Sequence, residues 1–226
     1  MNEFLPGIDP NFFNNTDPAN VSTTVQLIIL LTVLSIAPSI LILMTSFTRI
    51  VIVLSFVRTS LATQQMPPTQ VLISLALFMT FFIMAPTFSE INDQAIAPFL
   101  DGQISEEQAF DRASLPIKEF MSKHTRQKDL MLFLSYAEME KPKTIEDIPL
   151  TALVPAFAIS EIKTAFQIGF MVFVPFLVID MIVASVLMSM GMMMLPPVMI
   201  SLPFKILLFV MVDGWYLVVK SLLISF

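Results

Sequence analysis

The sequence predicts an all-α integral membrane protein with kinked helical hairpins, four apolar blocks and a polar helical segment in the middle. The 226 residues are 56% hydrophobic and only 13% charged, whereas soluble globular chains are roughly 25% charged. The charges are also unevenly placed, since none lies between Asp17 and Arg49 or between Arg58 and Glu90. Each of these gaps is longer than the stretch of about 20 apolar residues that crosses a bilayer.

The chain divides into four segments in order. Residues 1–22 are polar, and their acidic, proline-containing composition does not resemble a cleavable signal peptide. Residues 23–89 are predicted to form a first apolar hairpin. Residues 90–147 hold 12 acidic and 7 basic residues, so we expect this segment to face water on the periplasmic side. Residues 148–226 are predicted to form a second apolar helical region.

The polar segment is predicted to contain two short amphipathic helices, over about residues 104–119 and 125–139, because apolar residues recur there at three- and four-residue spacing. The positive-inside rule assigns the connection that carries Arg49 and Arg58 to the cytoplasm, and hence residues 90–147 to the outside. Lys205 lies in a second short connection, and its positive charge supports the same orientation. The sole histidine, His124, lies beside Lys123 and is expected to be a solvated surface residue.

Composition also excludes several classes of function. With 12 Lys and Arg against 18 Asp and Glu, the chain lacks the basic surface that a nucleic-acid partner requires. It has no Cys, one His and five Gly, which excludes disulfides, thiol catalysis, Cys- or His-rich zinc sites and glycine-rich phosphate loops. We therefore expect no cofactor.

Ionisable residues in the apolar blocks are costly and usually mark an interface or a function. After Asp147 there are three acidic and three basic residues of this kind, so their charges can neutralise one another. We hypothesise that Glu161 pairs with Lys205, within the chain or between copies. Two alternatives stay open: an intramembrane aspartyl protease using Asp180 and Asp213, and an ion-coupled transporter. The six residues are Glu161, Lys163, Asp180, Lys205, Asp213 and Lys220.

A run of three methionines, Met192, Met193 and Met194, follows Gly191 and precedes a pair of prolines. Three successive residues sweep about 200° of a helix, so they cannot form one helical face. The flanking glycine and prolines instead predict a break or tight turn that projects long, adaptable thioether side chains. Prolines elsewhere in the apolar blocks predict bent helices. The backbone groups that each proline leaves without a hydrogen bond must then be satisfied by neighbouring protein or by a cavity.

Five runs of the sequence are distinctive. Three are TSFTRIVIVLSFVR at residues 45–58, FMTFFIMAP at 78–86 and SEIKTAFQIGF at 160–170. The other two are VASVLMSMGMMMLPPVMISLPFK at 183–205 and FVMVDGWYLV at 209–218. In these runs the sequence resembles the FliP family of flagellar and virulence type III secretion export-gate proteins. Together these runs cover most of the chain outside residues 1–22 and 90–147.

The resemblance implies a non-enzymatic channel subunit that exports unfolded flagellar proteins for flagellum assembly. It implies a pentamer that joins FliQ and FliR, with FlhB and FlhA as further partners, at the flagellar basal body in the bacterial cell membrane and largely on its periplasmic side. By resemblance, Met192, Met193 and Met194 would form a gasket that closes the channel. Glu161 and Lys205 would form an intersubunit salt bridge.

Overall fold

The computed structural model describes residues 18–63, 65–192 and 194–226. Within these ranges all regular structure is helical, which confirms the predicted fold class. A π-helical turn at Asn92–Ile96 joins the α-helix that ends at Ile91 to the one that begins at Ala97. The helices are α1 (Pro18–Met44), α2 (Phe47–Ser60), α3 (Thr69–Ile91), α4 (Ala97–Leu100), α5 (Glu106–His124), α6 (Gln127–Tyr136), α7 (Leu150–Ser189), α8 (Pro197–Met211) and α9 (Gly214–Ile224).

The chain separates into two units, residues 1–41 and residues 42–226. The described part of the first unit is the greater part of α1, a continuous apolar helix. The second unit contains the last turn of α1 and helices α2 to α9. The candidate functional residues discussed below all belong to the second unit.

Helix α2 buries one face completely. Ile50, Val53, Leu54 and Val57 are inaccessible to solvent, and their three- and four-residue spacing aligns them along one side of the helix. This side packs mainly against α7. Arg49 lies beside the buried face and is itself buried, which requires a polar partner on the opposing helix.

Helix α7 meets α2 with small residues, and these allow a close approach of the two helices. Buried Ala165 and Gly169 follow Glu161 at four-residue spacing and therefore lie on the same face of α7. At Gly169 the approach is close, because a Cβ atom there would lie 2.5 Å from the ring of Phe56. The two helices are therefore held at a fixed separation along the first half of α7.

Helices α5 and α6 cover one end of this pair, and they confirm the two amphipathic helices predicted in the polar segment. Their contact with α7 is a core built on Met121, Ile148, Leu153 and Phe157. Helix α5 begins with a capping box, in which Ser105 and Gln108 satisfy each other's backbone amides. It continues to His124, beyond the predicted end at residue 119, because its apolar face extends as far as Met121.

Two stretches are long and apolar enough to cross a membrane, Thr69–Leu100 and Leu150–Ser189, and the number rises to four if each of two bent helix pairs counts as one span. This larger number equals that of the predicted apolar blocks, but the first bent pair includes α2. The sequence assigned Arg49 and Arg58 to a connection between two blocks, whereas both lie in α2. The helices continue through their internal prolines, whereas α8 and α9 meet at an angle of 63°. That bend lies at Asp213, which has a left-handed backbone conformation (φ 52°).

Candidate functional site

The methionine loop, residues 190–196, connects the antiparallel helices α7 and α8. Gly191 adopts a left-handed conformation with φ 74°, which glycine accepts without strain. The exposed fractions of the described methionines are 65% for Met190, 46% for Met192 and 100% for Met194. Met193, the middle residue of the predicted gasket, lies outside the described residues. The loop thus presents apolar thioether side chains at the end of a helical hairpin.

One polar cluster joins the two helices of this hairpin. Lys205 Nζ donates to Asp180 Oδ2 at 2.6 Å, and Ser201 Oγ donates to Asp180 Oδ1. Ser201 and Lys205 are buried, and Asp180 is partly exposed. One turn farther from the loop, the rings of Phe176 and Phe209 contact each other with centroids 6.2 Å apart. Asp180 therefore neutralises a buried lysine across the hairpin.

A second polar cluster lies between α2 and α7. Arg49 Nε donates to Glu161 Oε2 at 2.8 Å, and Nη2 donates to Oε1, so the pair is bidentate. Arg49 Nη1 also donates to the main-chain oxygen of Ser225 at 2.6 Å and to its Oγ at 3.0 Å. The guanidinium carbon lies 3.8 Å from the ring centroid of Phe226. Arg49 therefore ties α2, α7 and the residues after α9 together.

The predicted partners Glu161 and Lys205 thus have other partners within the chain. Glu161 is fully buried against Arg49, and Lys205 binds Asp180. The sequence showed that each charge must find an opposite charge but not which one, because partners in separate helices depend on how those helices pack. A Glu161–Lys205 pair between two copies of the chain stays a prediction.

The remaining predicted charges lie apart from these two clusters. Arg58 Nη1 donates to Thr69 Oγ1 at 2.9 Å, across the connection between α2 and α3. Lys163 is exposed on α7, two residues from buried Glu161. Asp213 is exposed at the bend between α8 and α9. Among the described residues no hydrogen bond or ion pair joins Asp180 to Asp213, since both oxygens of Asp180 bind Ser201 and Lys205.

A third polar cluster, which the sequence gave no reason to expect, fastens α6 to α7. Ser160 Oγ donates to Asp129 Oδ2 at 2.7 Å and accepts from the backbone amide of Arg126 at 3.0 Å. Burial tends to raise the pKa of Asp129, but the hydrogen bonds from Ser160 and Arg126 and the charge of Arg126 hold that pKa below its ordinary value. Asp129 is therefore ionised and fixes the polar segment to α7.

The expectation for His124 was wrong. Its ring is half-buried between those of Phe120 and Phe226, with centroids 5.0 Å and 5.2 Å away. Burial, followed by the positive charges of Arg49 and Lys123, lowers the pKa of His124 to about 4. Its neighbour Lys123 is charged, which suggested that the ring faces solvent, but the packing of Phe226 against α5 covers it.

The burial of Arg49 and Lys205 also weakens the predicted orientation. Two of the three basic residues on which the positive-inside argument rested are held inside the protein by carboxylates. Such paired charges do not act as free cations in a membrane-flanking loop. Arg58 bonds to the Thr69 hydroxyl, and the orientation stays a prediction.

An open cavity of about 480 Å³ lies between α3, α5 and the residues that follow α9. Its lining mixes aromatic side chains, such as Phe82 and Phe120, with the charged groups of Glu90, Glu119 and Lys123. In the described part of the chain, no group of three or more His, Cys, Asp or Glu side chains is placed to bind a metal ion.

Comparison with known proteins identifies relatives along the whole chain. The model of the FliP family matches residues 30–222. The flagellar biosynthetic protein FliP of Bacillus subtilis is 74% identical over 226 residues, which are 100% of each chain. The protein of the same name from Caulobacter vibrioides is 57% identical over 89% of this chain and 76% of its own. That from Aquifex aeolicus is 52% identical over 92% of this chain and 87% of its own.

Proposed function

Because this chain belongs to the FliP family, it is a non-enzymatic component of the flagellar export apparatus, and we propose that it forms the export channel there as one of several copies. In this proposal the methionine loop closes the channel between export events. The observation that carries it is the position of the loop, at the end of an apolar hairpin with its described methionines exposed.

Methionine suits such a closure for physical reasons. The thioether chain is unbranched and polarisable, so it fills irregular gaps and can repack around different passengers. A constriction lined by apolar groups also excludes ions, because the pore dewets. A ring of loops from several copies would therefore seal the passage to ions and still yield to an unfolded protein chain.

The surface of the hairpin supports an assembly with other subunits. Large apolar side chains on α7, α8 and α9 are exposed in the single chain, and the charges of Asp180 and Lys205 are satisfied internally. Exposed apolar surface of this extent requires lipid or protein contacts. The family resemblance suggests five copies arranged with FliQ and FliR, with FlhB and FlhA nearby, on the periplasmic side of the cell membrane.

The Glu161–Lys205 pair between copies belongs to this proposal. Since Glu161 already binds Arg49 and Lys205 already binds Asp180, a contact between subunits would require these side chains to share or exchange their partners. Sharing keeps the bond from Lys205 to Asp180, because an ammonium group has three N–H donors.

The test replaces Met192, Met193 and Met194 with alanine in the chain expressed together with FliQ and FliR. We expect the native mass of the detergent-extracted complex to stay the same and its permeability to ions in vesicles to rise. A matched control replaces three exposed methionines on the hairpin helices, Met171, Met181 and Met211. Normal assembly with unchanged permeability in the loop variant would contradict the closure role, and a stable monomer indifferent to FliQ and FliR would contradict the channel itself.

A further inference from the structure

The hairpin of α7 and α8 has few contacts that determine its register. In residues 170–189 of α7 and in α8, the buried apolar side chains are Phe176, Leu187 and Phe209. Apolar contacts are non-directional, and most of the surrounding side chains are similar in size and chemistry. A small slide or rotation of one helix against the other would therefore exchange one apolar contact for another.

The polar cluster on Asp180 provides the directional contacts that the apolar side chains lack. Ser201 and Lys205 are four residues apart and so lie on the same face of α8. Both donate to one carboxylate on α7, each to a different oxygen. Because hydrogen bonds weaken steeply with distance and angle, the two donors together define one position of α8 along α7.

This contact is centred on the methionine loop. Asp180 lies twelve positions before Met192, and Lys205 lies twelve positions after Met193. The Phe176–Phe209 contact is symmetric in the same way, because Phe176 lies sixteen positions before Met192 and Phe209 lies sixteen positions after Met193. The paired contacts therefore set the antiparallel register that brings the methionine run to the turn of the hairpin.

The loop itself has little else to hold it. The backbone hydrogen bonds of its described residues are local, such as Met192 N to Leu187 O at 3.0 Å and Gly191 N to Met188 O at 3.1 Å. Asp180 lies nine residues before the end of α7, or about 14 Å along its axis. A rotation of about 10° at the cluster would therefore move the loop by about 2.5 Å.

We propose that Asp180 is a positioning residue for channel closure: by accepting from Ser201 and Lys205, it fixes the hairpin register and thereby the location of the methionine loop. This inference rests on the proposed function for its consequence, but its structural part can be tested separately. Charge neutralisation alone would not require the second donor, Ser201, which also lies 3.1 Å from the carbonyl oxygen of Val198.

The structural test uses the absence of cysteine from the native chain. Met188→Cys and Met199→Cys, both at exposed positions near the loop, accept a pair of spin labels across the hairpin. Labelled chain is diluted with unlabelled chain in the complex with FliQ and FliR. We expect one narrow distance distribution for the parent, a broader one for Asp180→Asn, and a narrow one for the conservative variant Asp180→Glu.

Asp213→Asn is the matched control, because the same chemical change is made at an exposed position that asparagine tolerates in the left-handed conformation. Its distribution should stay narrow. An unchanged distribution in Asp180→Asn would overturn the proposal. Should Asp180→Asn fail to accumulate, Ser201→Ala removes one donor and keeps the ion pair. We expect an intermediate width for it, and an unchanged width would overturn the proposal in the same way.

Ion permeability tests the functional part. We expect Asp180→Asn to raise it roughly tenfold with the complex intact, as a tenfold shift of the closed–open equilibrium would. If the loop alanine variant leaks and Asp180→Asn does not, the positioning role is wrong. If the loop variant does not leak either, the proposed closure fails, while the label distances still decide whether Asp180 fixes the hairpin.

Discussion

In its first half α7 meets α2 through small buried residues and the bidentate pair Glu161–Arg49, whereas in its second half it meets α8 through a few apolar contacts and the pair Asp180–Lys205. Glu161 is fully buried, but Asp180 is partly exposed. One helix thus combines a rigid interface with a more adjustable one. The difference suggests that the first half is scaffold and that motion is concentrated near the methionine loop.

Breaking the Glu161–Arg49 pair should have the largest effect. Glu161→Lys places two cations in the buried interface, and loss of a buried partner costs about 3–5 kcal/mol. We expect the variant to accumulate poorly in the membrane fraction, as measured by immunoblot. Lys163→Glu, a reversal at an exposed neighbouring position, should accumulate normally.

Second-site reversals then identify the partner of Glu161. Arg49→Glu should restore accumulation of Glu161→Lys at least in part if the contact within the chain dominates. Restoration by Lys205→Glu instead would support the pair between copies, and would mean that Glu161 exchanges its partner on assembly. Rescue by neither would contradict both assignments.

Adding a methyl group at Gly169 should weaken the same interface to a smaller extent. The new Cβ would lie 2.5 Å from the Phe56 ring, and overpacking of this kind costs about 1–3 kcal/mol. Against this, alanine favours a helix over glycine by about 1 kcal/mol. We expect a net loss of up to about 2 kcal/mol, visible as a lower melting temperature in detergent.

The background of Phe56→Ala makes this prediction sharper. With the ring removed, the helical preference of alanine should dominate, so Gly169→Ala should become neutral or stabilising. A similar loss in both backgrounds would show that α2 and α7 are not in close contact at this position.

The packing of His124 should make stability depend on pH. The folded chain keeps the ring neutral down to about pH 4, whereas the unfolded chain takes up a proton near pH 6.5. Between these values the unfolded state binds more protons, so the free energy of unfolding should fall as the pH falls. His124→Gln should flatten this dependence in detergent melting curves, and an equal slope in both proteins would contradict the assignment.

The sequence was sufficient for the fold class, the apolar blocks and the turn at the methionines, because these follow from local composition and spacing. It was insufficient for the partners of Glu161 and Lys205, which depend on contacts between residues more than 20 positions apart. Asp129 and Ser160 were missed for the same reason, since neither stands out from its neighbours. The bend at Asp213 was missed because the expected signal was proline, whereas the helices tolerate their prolines.

The smallest effect on stability is expected at the methionine loop. Met194 is 100% exposed, and exposed substitutions usually change stability by less than about 0.5 kcal/mol. Met194→Ser should therefore leave the melting temperature of the complex unchanged but raise its ion permeability, because a hydroxyl hydrates a constriction that a thioether keeps dry. Tyr136→Ser, at a residue of the polar segment that is 91% exposed, should change neither the melting temperature nor the permeability. A lower melting temperature with unaltered permeability would reverse the contrast between the two halves of α7, since the loop would then contribute to the scaffold and not to the closure.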